Sequence, residues 1–357
     1  MEESDYMIDK QLISDFLDKY HVDGLFVQKD ENIRYISGFT GSDSYLFVTH
    51  KEYFLITDSR YTEQAGIEAK GFTVINHSGL LIKTLTELAK KNDIRTLGIE
   101  RVFSYEMYLN FIKEMQDTVL TFCPVDDLRR IKSDEEIRYL SEACRISDIG
   151  FKNMLPYVKE GVTEKYLMRV LECEMLKAGS EGKSFDTIVA SGERGAYPHG
   201  TATDKVIRNG ELITFDFGAV YNGYHSDITR TIAVGTINER QRFLYDKVLG
   251  CNEYIESILK AGMRADQIDE KSREYLKQFD LDNYFTHALG HSVGLEIHES
   301  PVLAHRDKSV LEENMTETVE PGVYIPGIGG VRIEDTVVIK QDGISILTLF
   351  PKKFLSV

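Results

Sequence analysis

No stretch of this chain approaches the ~18 consecutive apolar residues of a membrane-spanning helix, so a helical span is not expected. The N-terminus, MEESDYMIDK, is acidic and lacks the apolar run of a secretory leader, which makes the cytoplasm the expected compartment. Cysteine is scarce and scattered. Cys123, Cys144, Cys173 and Cys251 form no CxxC, which argues against a zinc knuckle or a dense disulfide framework and reads as structural thiols in a reducing compartment. Positive charge is in deficit: a formal net charge of -16 argues against nucleic acid and anionic membrane as partners, since both want a basic face, and leaves small neutral or cationic partners open. Neither GxGxxG nor GxxxxGK[ST] occurs at a strand-to-helix junction, so no nucleotide fingerprint is present. Proline is sparse, at 7 residues, and no tract is of low complexity; with 42% hydrophobic and 28% charged residues the composition is that of a globular protein.

What is there is long enough, at 357 residues, to favour two domains. IDKQLISDFLDKY places Ile8, Leu12, Ile13, Phe16 and Leu17 at helical spacing. GLFVQ, YLFVTH and YFLITD read as strands, with ENIRYISGFTGSDS as a Gly/Ser-rich loop between the first two. LIKTLTELAKK reads as a helix, TLGIE as a strand and SYEMYLNFIKEM as a helix, so the first half is an α/β domain with a mixed sheet. The pattern changes near Pro124. Ser133 with Glu136 is a capping-box signature, and Ile137, Leu140, Ala143, Cys144 and Ser147 continue at helical spacing behind it, which sets domains of 1–130 and 131–357. Helices are expected over TEKYLMRVLECEMLKAG, ERQRFLYDKVLGCNEYIESIL and ADQIDEKSREYLKQF, with strands and long loops from Phe185 on, an α+β arrangement.

The second half carries the chemistry. FTHALGHSVGLEIHESP holds His287, His291 and His298, with Gly290 and Gly294 read as points where backbone closely approaches a ligand. Histidines four apart are equally a polar helix face, so the stretch gains meaning only from two acidic pairs elsewhere. In ELITFDFGAVYNGYHSDITRTIAVG, Asn222-Gly223 is a strong hairpin signal. A two-residue loop there puts Gly218 opposite Asp227 and Asp216 two residues along on the same face; a one-residue bulge puts the aspartates directly opposite. In TVEPGVYIPGIGGVRIEDTVVI, a loop centred near Gly327 makes Glu320 and Glu334 cross-strand partners. Either pair alone is also the pattern of solvated hairpin carboxylates. Together with imidazole they outline a two-metal centre for Mn, Co, Fe or Zn, rather than a thiolate-bound structural zinc. Two such ions about 3.5–4 Å apart share a hydroxide and stabilise the oxyanion of carbonyl attack, so the expected reaction is hydrolysis.

With these residues in view, residues 130–350 closely resemble the methionine aminopeptidase, aminopeptidase P and prolidase superfamily of pita-bread metallopeptidases. The resemblance implies that Asp216, Asp227, His291 of the GHxxG-like motif, Glu320 of VEPGVY and Glu334 of GGVRIED hold two divalent transition-metal ions, manganese first among them. It further implies an outer histidine near the scissile bond at His199, an oxyanion-bonding histidine at His298, a pocket histidine at His287, an orienting arginine at Arg332, and Glu320 doubling as proton shuttle. His199 also reads as a loop histidine, His287 as a helix-surface one and Arg332 as a surface strand residue; His21, His50, His77, His225 and His305 are assigned to surface or core. NIRYISGFTGSDSYLFVTH and FLITDSRYTEQA are similar to the creatinase-type N-domain, as in bacterial aminopeptidase P. The family resemblance implies a homodimer, with that domain helping to close one end of the cleft and limit substrate length.

The departures are small: Ser292 where the motif has glycine, and Thr336 after Glu334-Asp335. The function implied is an Xaa-Pro aminopeptidase acting on small peptides with proline second, by way of a dimetal-bridged hydroxide; the alternative is an Xaa-Pro dipeptidase, a prolidase. A non-catalytic binding module or a metal-independent creatine hydrolase is the contrasting class. Such relatives lose ligands that this chain retains.

Overall fold

The computed structural model describes residues 9–357, and the chain divides into two compact units, one ending at Leu128 and one running Arg129–Val357. The first unit comprises, in chain order, α1 (Lys10–Tyr20), β1 (Gly24–Val27), α2 (Asp30–Ser37), β2 (Tyr45–Thr49), β3 (Tyr53–Thr57), α3 (Thr62–Glu68), β4 (Thr73–Asn76), α4 (Leu81–Lys91), β5 (Thr96–Glu100), α5 (Tyr105–Glu114) and β6 (Val119–Cys123). Its sheet has the order β4-β3-β2-β1-β5-β6 and is mixed: β1–β2 and β2–β3 are antiparallel, the other pairs parallel. Phe26, Phe47, Phe54 and Ile99 from the strands close over Leu85 and Phe111 from α4 and α5. In α1, Ile13, Phe16 and Leu17 are buried and Leu12 is exposed; Ile8 lies outside the described residues.

One segment corrects the sequence reading. ENIRYIS is not loop but most of α2, because Asp30 and Glu31 favour its first turn, Ile33 and Ile36 bury one face, and Gly38 closes it with φ of 75°. The loop begins only at Gly38.

The second unit opens with α6 (Asp134–Met154), whose Ser133–Glu136 capping box is formed, and α7 (Glu164–Lys177). There follow β7 (Ile188–Ser191), β8 (Glu211–Phe217), β9 (Val220–Tyr221), β10 (Tyr224–His225), β11 (Ile228–Val234), α8 (Glu239–Ile258) and α9 (Ala265–Lys277). The chain finishes with β12 (Gly290–Ser292), β13 (Glu299–Leu303), β14 (Thr316–Val319), β15 (Gly322–Ile325), β16 (Gly329–Arg332), β17 (Asp335–Lys340) and β18 (Gly343–Ile346). Two interrupted hairpins form its frame. In the first, β9–β10 and β8–β11 share one register, Tyr221 opposite Tyr224 and Asp216 opposite Thr229, with a break between the two ladders. In the second, β15–β16 and β14–β17 share one register, Gly322 opposite Arg332 and Val319 opposite Asp335, again with a break between them.

Phe151 of α6 packs on Phe215 and Phe217 beneath the first hairpin, while Leu244, Val248 and Ile255 of α8 join Val319, Val323 and Val331 beneath the second. Each such side chain contributes about 1.5–3 kcal/mol by leaving water. The hairpins are joined where Glu334 N–H donates to the Thr229 carbonyl and the Thr231 hydroxyl donates to the Arg332 carbonyl. The two breaks therefore come together.

Candidate metal centre

The carboxylates sit at these breaks. Asn222 and Gly223 have φ of 44° and 68°, the left-handed pair that a two-residue hairpin loop requires. The register it sets continues without a bulge, so Gly218 is opposite Asp227 and Asp216 lies two residues along. The second register likewise puts Glu320 opposite Glu334, beside Pro321, which has no N–H to give the ladder. Carboxylate oxygens of Asp216, Asp227 and Glu334 all lie within 4.8 Å of one another. His291, on β12, brings Nε2 to 3.6 Å from Asp227 Oδ2 and 3.6 Å from Glu320 Oε1. Its Nδ1–H donates to the Ser292 carbonyl at 3.1 Å, which fixes the tautomer and leaves the Nε2 lone pair facing the carboxylates. The Thr229 hydroxyl, 2.6 Å from Glu334 Oε2, orients that carboxylate.

Such crowding is electrostatically costly. Burial, then repulsion from Glu334, Asp216 and Glu320, pushes the Asp227 carboxyl well above the usual carboxylate range. Burial, then repulsion from Glu334 and Asp216, pushes Glu320 well up, and burial, then Asp216 and Asp335, pushes Glu334 up to about 8. The imidazoles go the other way: burial holds His291 down to about 4, with His298 adding to the effect, and His287 down to about 3, with Arg332 adding. Both are neutral at physiological pH, the form that ligates metal. Four carboxylates repelling one another around a bare imidazole nitrogen are matched in charge by two divalent cations, and the hard oxygen-rich donor set suits them. These residues fit a metal pair.

Around the carboxylates is a cavity of about 490 Å³ lined in part by His199, His287, His298 and Arg332, with Phe185, Ile188, Ile297 and Val302 supplying apolar wall. The His298 ring centroid lies 4.5 Å from that of His291. Arg332 Nη2 donates to Asp216 Oδ2 at 2.5 Å, Nε to the Thr229 hydroxyl at 3.1 Å, and Nη1 to Tyr324 Oη at 2.7 Å and the Pro198 carbonyl at 3.2 Å. Burial opposes its charge, and Tyr324, Asp216 and Glu320 more than offset that. His287 Nδ1–H donates to the Ala288 carbonyl at 2.7 Å, so its Nε2 accepts from Tyr324 at 2.7 Å. The direction runs from Arg332 through Tyr324 to His287. His21, His50, His77, His225 and His305 do not line the cavity.

Tyr324 and Thr229 are participants that the motif reading passes over. Register could have found Tyr324, since it lies two residues beyond Gly322, the partner of Arg332, and so shares that residue's face. A Cβ on Gly290 would lie 1.9 Å from the Thr318 carbonyl oxygen and one on Gly294 would lie 2.6 Å from Glu299 Oε2, so both glycines admit protein atoms, and the backbone of Gly290 also lines the cavity.

A carboxylate-rich, single-imidazole centre in a walled cavity, mounted on two joined hairpins, defines a metal-dependent hydrolase of pita-bread architecture. The chain belongs to metallopeptidase family M24, whose model matches residues 138–341, and carries a creatinase/prolidase N-terminal domain matched over residues 11–131. It is 41% identical over 345 residues to an Xaa-Pro dipeptidase of Pyrococcus furiosus, covering 95% of this chain and 97% of that protein. Among solved structures it is similar to an Xaa-Pro dipeptidase from Bacillus anthracis (TM-score 0.95, 40% identity, covering 98% of this chain and 99% of that one). It is also similar to an X-Pro aminopeptidase from Thermotoga maritima MSB8 (TM-score 0.88, 37% identity, covering 95% and 99%). The mixed-sheet α/β domain and the α+β pita-bread domain that the resemblance implied are the architecture found, and among the described residues no helix is long and apolar enough to cross a membrane.

Proposed function

We propose that the protein is an Xaa-Pro aminopeptidase, which hydrolyses the bond between the N-terminal residue of a small peptide and a proline in second position. The observation that carries this is the convergence of Asp216, Asp227, Glu320, Glu334 and the bare Nε2 of His291 on one cavity. These five residues would hold two divalent ions, with manganese proposed ahead of cobalt, zinc or iron. When bound, the pair supplies Lewis acidity and a water acidic enough to attack at neutral pH. Glu320 would carry a proton from the attacking water to the departing proline nitrogen. His298 and His199 line the cavity; in this reading they face the scissile bond, and His298 would donate to the oxyanion as the carbonyl becomes tetrahedral. Arg332 fixes Asp216, and through Tyr324 it fixes His287, so that each presents one orientation to the substrate. We further propose catalytic and N-terminal domains of residues 131–357 and 1–130, a homodimer, and a cytoplasmic location.

A second reading, an Xaa-Pro dipeptidase, is favoured by the relatives at 41% and 40% identity, each of which is an Xaa-Pro dipeptidase. A dipeptide presents a free carboxylate just past the proline. The one guanidinium among the described residues lining the cavity is that of Arg332, and its donors already serve Asp216, Thr229, Tyr324 and Pro198. Four of its five N–H groups are thus engaged, so a free carboxylate would take the fifth or the cavity histidines.

The test is hydrolysis of Gly-Pro, Gly-Pro-Ala and Gly-Ala-Ala by metal-free protein and after adding Mn²⁺, Co²⁺ or Zn²⁺. Metal-dependent cleavage of Gly-Pro-Ala before proline is expected; cleavage of Gly-Pro alone selects the second reading, and cleavage of neither sinks both. Asp227→Ala and His291→Ala are each expected to abolish turnover.

A further inference from the structure

Behind the cavity histidines lies a second charged cluster, buried except for Glu296 at its edge and unused by the hydrolytic roles. Lys132 is 1% exposed, and its ammonium donates to Glu299 Oε2 at 3.0 Å, Ser292 Oγ at 3.1 Å and the Arg130 carbonyl at 3.4 Å. Arg129, also 1% exposed, pairs with Glu299 Oε1 at 3.2 Å and with Glu296. Burial alone would raise the Glu299 carboxyl, but Lys132 and Arg129 outweigh it and hold it below the usual range. A full-length lysine is therefore held inside the protein with each of its three hydrogens directed to an acceptor.

The position of those acceptors gives the cluster a purpose. Ser292 directly follows His291 and Glu299 directly follows His298, and the two are cross-strand partners in β12–β13, just past a register shift. The histidine rings stand 4.5 Å apart on the cavity side, while the side chains next to them turn away and meet on one ammonium. Serine is the sequence's departure from glycine in the GHxxG-like motif, and its hydroxyl supplies one of the two anchors.

We propose that Lys132 is a positioning residue, which holds His291 and His298 in working geometry by clamping the residue that follows each of them. This rests on the roles given above to the two histidines. Three variants test it: Lys132→Met, Lys132→Met with Glu299→Gln, and Ser292→Gly. The readouts are kcat and KM on the peptide that the native protein cleaves, Co²⁺ affinity of chelator-treated protein by calorimetry, and Tm. Lys132→Met is expected to lower kcat at least 30-fold with KM within threefold, and Co²⁺ affinity at least tenfold. In the double variant Arg129 keeps Glu296 but loses the charge of Glu299, so its Tm should stay below native, and kcat and Co²⁺ affinity, read well below that Tm, should stay low. Ser292→Gly should lower kcat three- to tenfold at unchanged Tm. A double variant whose kcat and Co²⁺ affinity, measured well below its Tm, lie within threefold of native overturns the proposal, as does a Ser292→Gly protein with native values of both. A native protein that binds Co²⁺ but cleaves no peptide defeats the functional reading instead, and Co²⁺ affinity then still decides the positioning claim.

Discussion

Arg332 shows how one side chain in this centre combines charge with shape. Its fork donates to four separate acceptors, and a lysine in its place supplies a single point charge that cannot reach them all. Losing the charged donor at the Tyr324 or Thr229 hydroxyl, each of which keeps its other bond to His287 or Glu334, costs about 1.5–3 kcal/mol. Arg332→Lys should therefore reduce kcat/KM by about 10- to 100-fold. Values within twofold of native on the cleaved peptide would remove the orienting role. Tyr324→Phe should produce a milder loss, because His287 keeps its bond to the Ala288 carbonyl but loses the donor at Nε2.

Glu299 is a residue whose effect is legible in acid. Its folded pKa is depressed, so its contribution to stability is present above the unfolded value of about 4.3 and disappears as pH falls through the folded one. Glu299→Gln leaves two buried cations short of a partner, a loss of about 3–5 kcal/mol at neutral pH. The Tm gap between native protein and this variant should then be widest near pH 7 and close as pH is lowered past 4. A gap that persists unchanged at pH 3 would mean that Glu299 acts through packing rather than charge.

At the scale of elements, Gly290 is the tightest joint. A Cβ there would lie 1.9 Å from the Thr318 carbonyl oxygen, so β12 can lie against β14 only with glycine at that point. The same contact lets His291 N–H donate to the Thr318 hydroxyl at 3.0 Å. Gly290→Ala should push β12 outward, destabilise the protein by about 1–3 kcal/mol, and weaken Co²⁺ binding tenfold or more. Calorimetry on metal-free protein would read both effects, and an unchanged affinity would show that β12 can shift without moving His291.

Elements also explain what the sequence revealed and what it hid. Hairpin registers were readable because a two-residue Asn-Gly loop allows few pairings; counting outward from Asn222-Gly223 and from Gly327 places Gly218 opposite Asp227 and Glu320 opposite Glu334. The choice between that register and a bulged one was not readable. α2 was hidden by neighbouring Gly38 and Gly41, whose turn signal overshadowed the buried pair Ile33 and Ile36. The Lys132 clamp was hidden more deeply. Its partners lie 160 and 167 residues away, and nothing local distinguishes a buried lysine from the exposed ones that predominate.

For the whole molecule, metal should act as a structural component of the second unit. With a formal net charge of -16, the chain also attracts divalent cations over its surface, and the two modes of binding must be separated. Surface attraction is screened over roughly 8 Å at physiological salt, whereas carboxylates as buried as Asp227, at 5% exposure, and Glu334, at 1%, are largely shielded from that screening. Mn²⁺ at about 100 times its dissociation constant should stabilise the folded chain by about 2.7 kcal/mol. The accompanying rise in Tm over the chelated protein should survive 0.15 M salt. Asp227→Asn keeps the shape of the side chain but removes one of the repelling charges, so this variant should be no less stable than the native chain without metal and should gain little from Mn²⁺. If the variant gains as much as the native protein, and salt abolishes the gain in both, the ions are bound by the acidic surface and the buried carboxylates hold protons instead.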